Sequence, residues 1–130
     1  MADATLPKKI LLAEDDKFLS TAMGEKLVRE GFEVLRASNG IDAVTLAKAE
    51  HPDLVLLDII MPQKTGFEVL SELRLDSATR DIPVIVLSNL GQEVDIKKAR
   101  DLGAIEYLVK SDVKMRVVVA KIKEALAKLK

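Results

Sequence analysis

The stretch Leu54-Val55-Leu56-Leu57-Asp58 constrains the fold of this chain more than any other part of its sequence. Four aliphatic residues in a row predict a strand buried on both faces, the pattern of a parallel sheet covered by helices. A turn follows at once, marked by Pro62 and Gly66. Asp58 is therefore expected at the carboxyl end of a buried strand, and ligands of open α/β sheets bind just outside those ends.

The rest of the chain alternates short aliphatic runs with segments of helical spacing. We predict strands over Lys9–Ala13, Phe32–Ala37, Asp53–Asp58, Ile82–Leu87 and Ile105–Val109. Predicted helices cover Lys17–Glu30, Asn39–Glu50, Thr65 to the polar segment at Asp76, Gln92–Leu102, and a last stretch from a cap at Ser111 or Asp112 almost to Lys130. Strands that alternate with helices form βαβ units. We therefore expect a doubly wound α/β fold, a five-stranded parallel sheet with five helices on its two faces.

Composition is that of a globular protein. The 130 residues suit one domain over 1–130, with a loose tail at 1–8. The chain has no cysteine, which excludes disulfides and thiolate metal sites. A net charge of −1 gives no excess of positive charge for nucleic-acid binding, and no apolar run approaches the roughly 18 residues of a membrane span. We expect a cytoplasmic protein without direct nucleic-acid binding or membrane insertion.

Polar groups end four of the five predicted strands: Glu14-Asp15, Asp58, Ser88 and Lys110. In a parallel sheet these ends meet at one edge, so the groups should share a cleft. Neighbouring carboxylates repel, and a divalent cation relieves the repulsion. Oxygen ligands without histidine or cysteine favour Mg²⁺. Lys110 and Ser88 can hold phosphoryl oxygens, so the set predicts phosphoryl transfer onto Asp58.

With these residues in place, the sequence resembles the CheY-like receiver domains of response regulators in two-component signalling. The resemblance runs from about Lys9 to Lys130 and rests on Ala13-Glu14-Asp15-Asp16, Asp58-Ile59-Ile60-Met61-Pro62, Gly66, Leu87-Ser88, Gly103-Ala104 and Tyr107-Leu108-Val109-Lys110. It implies a flavodoxin-like sheet with strand order 2-1-3-4-5, whose switch point lies between the first and third strands.

The resemblance also implies roles for single residues. Asp58 would be the phosphoacceptor and a Mg²⁺ ligand. Asp15 would bind the metal directly, Glu14 mainly through water, and Ile60 through its backbone carbonyl. Ser88 and Lys110 would contact the phosphoryl group. Tyr107 would be the aromatic switch whose ring position follows Ser88.

As a receiver, the protein would be a signalling switch and not an enzyme beyond catalysing its own phosphorylation and slow dephosphorylation. The phosphoryl donor would be a histidine kinase or a histidine phosphotransfer protein. The surface of helix 4, strand 5 and helix 5 would change and act on an output partner, or on an output domain lost from a longer regulator. That surface could also serve a homodimer.

Four positions depart from the family pattern. Ser111 stands where proline is usual, often after a cis bond, so the Lys110–Ser111 bond is expected as either isomer. Asn89 is larger than the usual small residue after Ser88. Ile60 and Leu90 are aliphatic at positions that tune phosphate loss and cannot orient an attacking water. We therefore predict a long-lived phosphoryl form.

Three other functions remain open. A Mg²⁺-dependent phosphohydrolase with an aspartyl nucleophile would carry an Asp-x-Asp pair after the first strand, which Glu14-Asp15-Asp16 does not supply in its usual form. A flavodoxin-like FMN carrier needs a Gly- and hydroxyl-rich loop there, and this loop is acidic. A degenerate receiver would have lost residues equivalent to Asp58, Asp15 or Lys110. Turnover of a small phosphoester or a yellow purified protein would support the first or the second.

Overall fold

The computed structural model describes residues 6–128 and contains the predicted alternation of strands and helices. Its elements are β1 (Lys9–Ala13), α1 (Lys17–Arg29), β2 (Glu33–Ala37), α2 (Gly40–Glu50), β3 (Leu54–Leu57), α3 (Gly66–Leu75), β4 (Val84–Ser88), α4 (Glu93–Asp101), β5 (Glu106–Val109) and α5 (Met115–Ala127). Residues 1–5 of the predicted tail, and the predicted approach of the last helix to Lys130, lie outside the described residues; Leu6, Pro7 and Lys8 are exposed.

The five strands form one parallel sheet in the order β2-β1-β3-β4-β5, which confirms the expected topology. All of β3 is buried, as its aliphatic run predicts. Ala13 pairs with Leu57 in the β1–β3 register, and Ser88 pairs with Val109 in the β4–β5 register. The residues that follow these pairs therefore emerge together at the carboxyl edge of the sheet.

Successive residues of β3 point to opposite faces, and each face builds its own apolar layer. Val55 and Leu57 pack with α2, α3 and α4. Leu54 and Leu56 pack with α1 and α5. Both layers consist mainly of buried aliphatic side chains, and burial of such apolar surface is the dominant favourable term in folding. The double layer holds the central strand, and hence Asp58, in a fixed position.

The helix starts follow the sequence signals in three cases. Asp16 caps α1 by accepting a hydrogen bond from the N–H of Leu19, and Asn39 caps α2 through the N–H of Asp42. The capping box predicted at Thr65 and Glu68 is complete at the start of α3. No helix among residues 6–128 is both long enough and apolar enough to span a membrane.

The predicted start of the last helix is wrong. Neither Ser111 nor Asp112 caps it: Lys110–Asp112 form a short 3₁₀ turn, and α5 begins at Met115 after Lys114, which makes no side-chain capping bond. A tertiary contact determines the conformation of this segment, because the Lys110 side chain forms ion pairs with the carboxylates of Glu14 and Asp58. The Lys110–Ser111 bond is trans, since the described residues contain no cis peptide.

Candidate functional site

The cleft at the carboxyl edge of the sheet is assembled by backbone hydrogen bonds between neighbouring strands. The Asp58 N–H donates to the carbonyl of Ala13 at 3.0 Å, and the Glu14 N–H donates to the carbonyl of Ala37 at 3.0 Å. These bonds fix the residues just past β1 and β3 side by side. The β-sheet thus brings together acids that are more than forty positions apart in sequence.

Three carboxylates meet in this cleft. Oxygen atoms of Glu14, Asp15 and Asp58 lie within 4.8 Å of one another. Glu14 is 2% exposed and Asp58 is 6% exposed, whereas Asp15 is open to solvent. Burial of two of the three acids in one place is costly unless positive charge or hydrogen bonds compensate.

Lys110 supplies the compensating charge. Its Nζ lies 2.7 Å from Oδ2 of Asp58 and 2.5 Å from Oε1 of Glu14. Burial acts to lower the pKa of Lys110, but the hydrogen bonds with Asp58 and Glu14 outweigh burial, so the pKa is raised above its usual value. The ammonium therefore remains charged throughout the neutral range.

For Glu14, burial outweighs the contact with Lys110. Burial is the largest influence on its carboxyl and raises its pKa above the usual value, against the lowering effects of Lys110 and of the Asp16 N–H. The difference has a physical reason. Lys110 faces two carboxylates and its side chain is 16% exposed, whereas the 2% exposed side chain of Glu14 shares one cation with Asp58.

Backbone donors satisfy the remaining oxygens of the buried acids. Oδ1 of Asp58 accepts a hydrogen bond from the N–H of Ile60 at 3.1 Å. Oε2 of Glu14 accepts one from the N–H of Asp16 at 3.0 Å. Every buried side-chain nitrogen and oxygen of the described residues has a hydrogen-bond partner. The cleft is therefore a preorganised polar site and not a set of stray surface acids.

Ser88 and Tyr107 lie beside this cluster. Ser88 is fully buried at the end of β4, and its Oγ accepts a hydrogen bond from the N–H of Leu90 at 3.3 Å. The Tyr107 ring is 7% exposed, and its hydroxyl donates to the carbonyl of Leu90. Burial, followed by the charges of Asp95 and Asp58, raises the pKa of Tyr107 and keeps this hydroxyl protonated.

Among the residues predicted from the sequence, Glu14, Asp15, Asp58 and Lys110 are brought into one cluster. Two contacts were not anticipated. The bridge from Lys110 to Glu14 could have been inferred, because an acid that is buried at the end of a strand needs a cation. The hydrogen bond from the N–H of Ser111 to Oδ1 of Asn89, at 3.1 Å, has no signal in the sequence beyond the unusual identity of both residues.

Comparisons with known proteins point in one direction. Residues 10–123 match the profile of the response regulator receiver domain. The transcriptional regulatory protein PdtaR of Mycobacterium tuberculosis is 39% identical over 110 residues, covering 84% of this chain and 52% of that protein. RpaA of Synechocystis, a DNA-binding dual master transcriptional regulator, is 40% identical over 102 residues. The match covers 78% of this chain and 42% of that protein. The chain thus spans about half, or less, of these relatives' length.

Solved structures agree with this match. A CheY-like receiver domain protein from Methanospirillum hungatei has a TM-score of 0.88 and 26% identity, covering 94% of this chain and 95% of that one. The BeF₃-activated N-terminal receiver domain of Klebsiella pneumoniae RstA has a TM-score of 0.84 and 28% identity. The match covers 92% of this chain and 98% of that domain.

Proposed function

This chain belongs to the response regulator receiver domain family, and on that premise we propose that residues 1–130 form one receiver that works as a phosphorylated signalling switch, with Asp58 as the phosphoacceptor. One observation carries the proposal. The buried carboxylate of Asp58 touches the ammonium of Lys110 at 2.7 Å, inside a cluster that also holds Glu14 and Asp15. Such a nucleophile has both a cation for the incoming oxygens and acids for a metal within reach.

The donor oxygens of the cluster fit Mg²⁺. Glu14, Asp15 and Asp58 offer only hard carboxylate ligands within 4.8 Å of one another. Asp15 and Asp58 would bind the ion directly, Glu14 through water, and Ile60 through its backbone carbonyl. When bound, Mg²⁺ neutralises the negative charge that gathers between Asp58 and a phosphoryl group.

Phosphoryl transfer then follows from the chain's own residues. A carboxylate oxygen of Asp58 attacks the phosphorus of a phosphohistidine on a histidine kinase or phosphotransfer protein. The P–N bond breaks, and the imidazole nitrogen of the donor keeps its electron pair. Lys110 passes from the Asp58 carboxylate to a phosphoryl oxygen. The Ser88 hydroxyl, whose oxygen already accepts from Leu90, still has its proton to donate to another phosphoryl oxygen.

The phosphoryl group adds charge and acceptor oxygens to the cleft, and the response spreads along β4 and β5. Ser88 and Lys110 move towards the new oxygens, and the Tyr107 ring follows the Leu90 segment to which its hydroxyl is bound. The surface of α4, β5 and α5 would then bind an output partner or a second copy of the chain. DNA binding belongs to relatives such as RpaA; here the output would pass through a partner or a further domain of a longer regulator, in the cytoplasm.

The phosphoryl form should be long-lived. Ile60, whose N–H binds Asp58, is 57% exposed, and Leu90, whose N–H binds Ser88, is half-buried. Neither side chain has a polar group to align a water against the phosphorus. The half-life of the phosphorylated protein with Mg²⁺ tests this, and a half-life of seconds contradicts it. Ile60→Asn should shorten the half-life, because it places a hydrogen-bonding group at this position.

The direct test is incubation with acetyl phosphate and Mg²⁺, followed by intact-mass measurement. We expect wild type to gain one phosphoryl group and Asp58→Asn to gain none. Asp16→Asn is the matched control: Asp16 is a neighbouring acid that caps α1, and asparagine can keep that cap, so this variant should behave like wild type. No gain in wild type, or an equal gain in Asp58→Asn, overturns the proposal. Sustained turnover of a small phosphoester would favour a phosphohydrolase instead.

A further inference from the structure

Asn89 and Ser111 lie against each other on the two loops that carry Ser88 and Lys110. The backbone N–H of Ser111 donates to Oδ1 of Asn89 at 3.1 Å and joins residues 22 positions apart. A proline at position 111 would have no N–H for this bond. A small apolar residue at position 89 would have no acceptor for it. The two departures from the family pattern are therefore the two halves of one contact.

This contact lies where the sheet no longer holds the loops together. Ser88 and Val109 form the last pair of the β4–β5 register, and the next contact joins Asn89, one residue further, to Ser111, two residues further. The 3₁₀ turn Lys110–Asp112 has no buried residue. Instead of covering a packed core, Asn89, Lys110 and Ser111 border a cavity of about 450 Å³ between α1 and α5. Since packing does not fix this turn, its position depends on the Asn89–Ser111 hydrogen bond and on the ion pairs of Lys110 with Asp58 and Glu14.

We propose that Asn89 is a positioning residue that ties the loop of Lys110 to the loop of Ser88, an inference that rests on the proposed function. Asn89 does not touch the phosphoryl group. It acts through the backbone, keeping the loops that carry Ser88 and Lys110 at a set separation beside the cleft. A phosphoryl group arriving on Asp58 then needs only short side-chain movements of Ser88 and Lys110, because the 110–112 turn is already ordered.

Phosphorylation rates with acetyl phosphate and Mg²⁺ test the proposal by a double-mutant cycle. Asn89→Ala removes the acceptor, and we expect a rate about threefold lower, the order that one exposed hydrogen bond supplies. Ser111→Pro removes the donor and should lower the rate as well. Asn89→Ala should then have no further effect in the Ser111→Pro background. Ser111→Ala keeps the N–H and is the matched control, expected to match wild type.

Two further readouts separate positioning from general stability. Asn89 is exposed, so the urea midpoint of Asn89→Ala should equal that of wild type. Solvent exchange of the Ser111 amide, measured by NMR without any phosphoryl donor, should be faster in Asn89→Ala. Unchanged amide exchange, an unchanged rate, or additive effects in the cycle overturn the positioning role alone. A wild type that takes no phosphoryl group overturns the proposed function, and the positioning role with it.

Discussion

Removing the charge of Lys110 should destabilise the fold, because two buried acids depend on it. Lys110→Met keeps an unbranched side chain of similar length but takes the ammonium away from Asp58 at 2.7 Å and from Glu14 at 2.5 Å. The acids are 6% and 2% exposed and would be left facing each other. Removing one partner of a buried ion pair typically costs about 3–5 kcal/mol. Because Asp15 keeps one side of the cleft open to water, we expect a loss of about 3 kcal/mol in the free energy of unfolding.

Urea denaturation at neutral pH in Mg²⁺-free buffer measures this loss. The matched control combines Lys110→Met with Asp58→Asn, which replaces one of the two unpaired carboxylates by a neutral amide. This double variant should recover at least about half of the lost stability. Added Mg²⁺ should stabilise Lys110→Met more than wild type, since the variant offers the same acids without a competing ammonium. If Lys110→Met lowers the free energy of unfolding by no more than about 0.5 kcal/mol, the usual effect of a surface substitution, then Lys110 does not neutralise this cluster.

Three further substitutions test the local geometry around the cleft by the same urea measurement. Gln63 has φ of +73°, so Gln63→Gly should stabilise the protein by about 1 kcal/mol; no gain would contradict that strain. A Cβ at Gly40 would meet the backbone of Lys64 well inside van der Waals distance, so Gly40→Ala should cost about 2 kcal/mol, and a loss below about 0.5 kcal/mol would contradict this. Thr65→Ala removes the capping box shared with Glu68 and should cost about 1 kcal/mol, an expectation that an unchanged urea midpoint would refute.

The sheet could be predicted from the sequence because its strands carry unusually clear signals. Runs such as Leu54–Leu57 have no polar residue, so only a doubly covered parallel sheet suits them. The acids and the lysine of the cleft follow from the same reasoning, since strand ends of a parallel sheet share one edge. The predicted start of β4 was less accurate. The strand begins at Val84 and not at Ile82, because the N–H of Ile82 donates to the carbonyl of Thr79 and belongs to a turn.

The segment between β5 and α5 could not be predicted, and the reason is physical. Ser111 and Asp112 have the composition of a helix cap, and local propensity favours that interpretation. Two contacts from distant parts of the chain override it: Lys110 binds the acids that follow β1 and β3, and the Ser111 N–H binds Asn89. A single sequence does not contain the positions of these partners, so the late start of α5 becomes evident only once the sheet has been assembled.

Chemical mapping tests whether Asp58 is the residue that carries the phosphoryl group. Borohydride reduces an aspartyl phosphate to homoserine, which marks the modified residue. The protein is incubated with acetyl phosphate and Mg²⁺, reduced, digested and sequenced by mass spectrometry. We expect homoserine at position 58, and no homoserine there when the donor is omitted. Homoserine at Asp15 or Asp16, or at no aspartate of a protein shown to be fully folded, would contradict it.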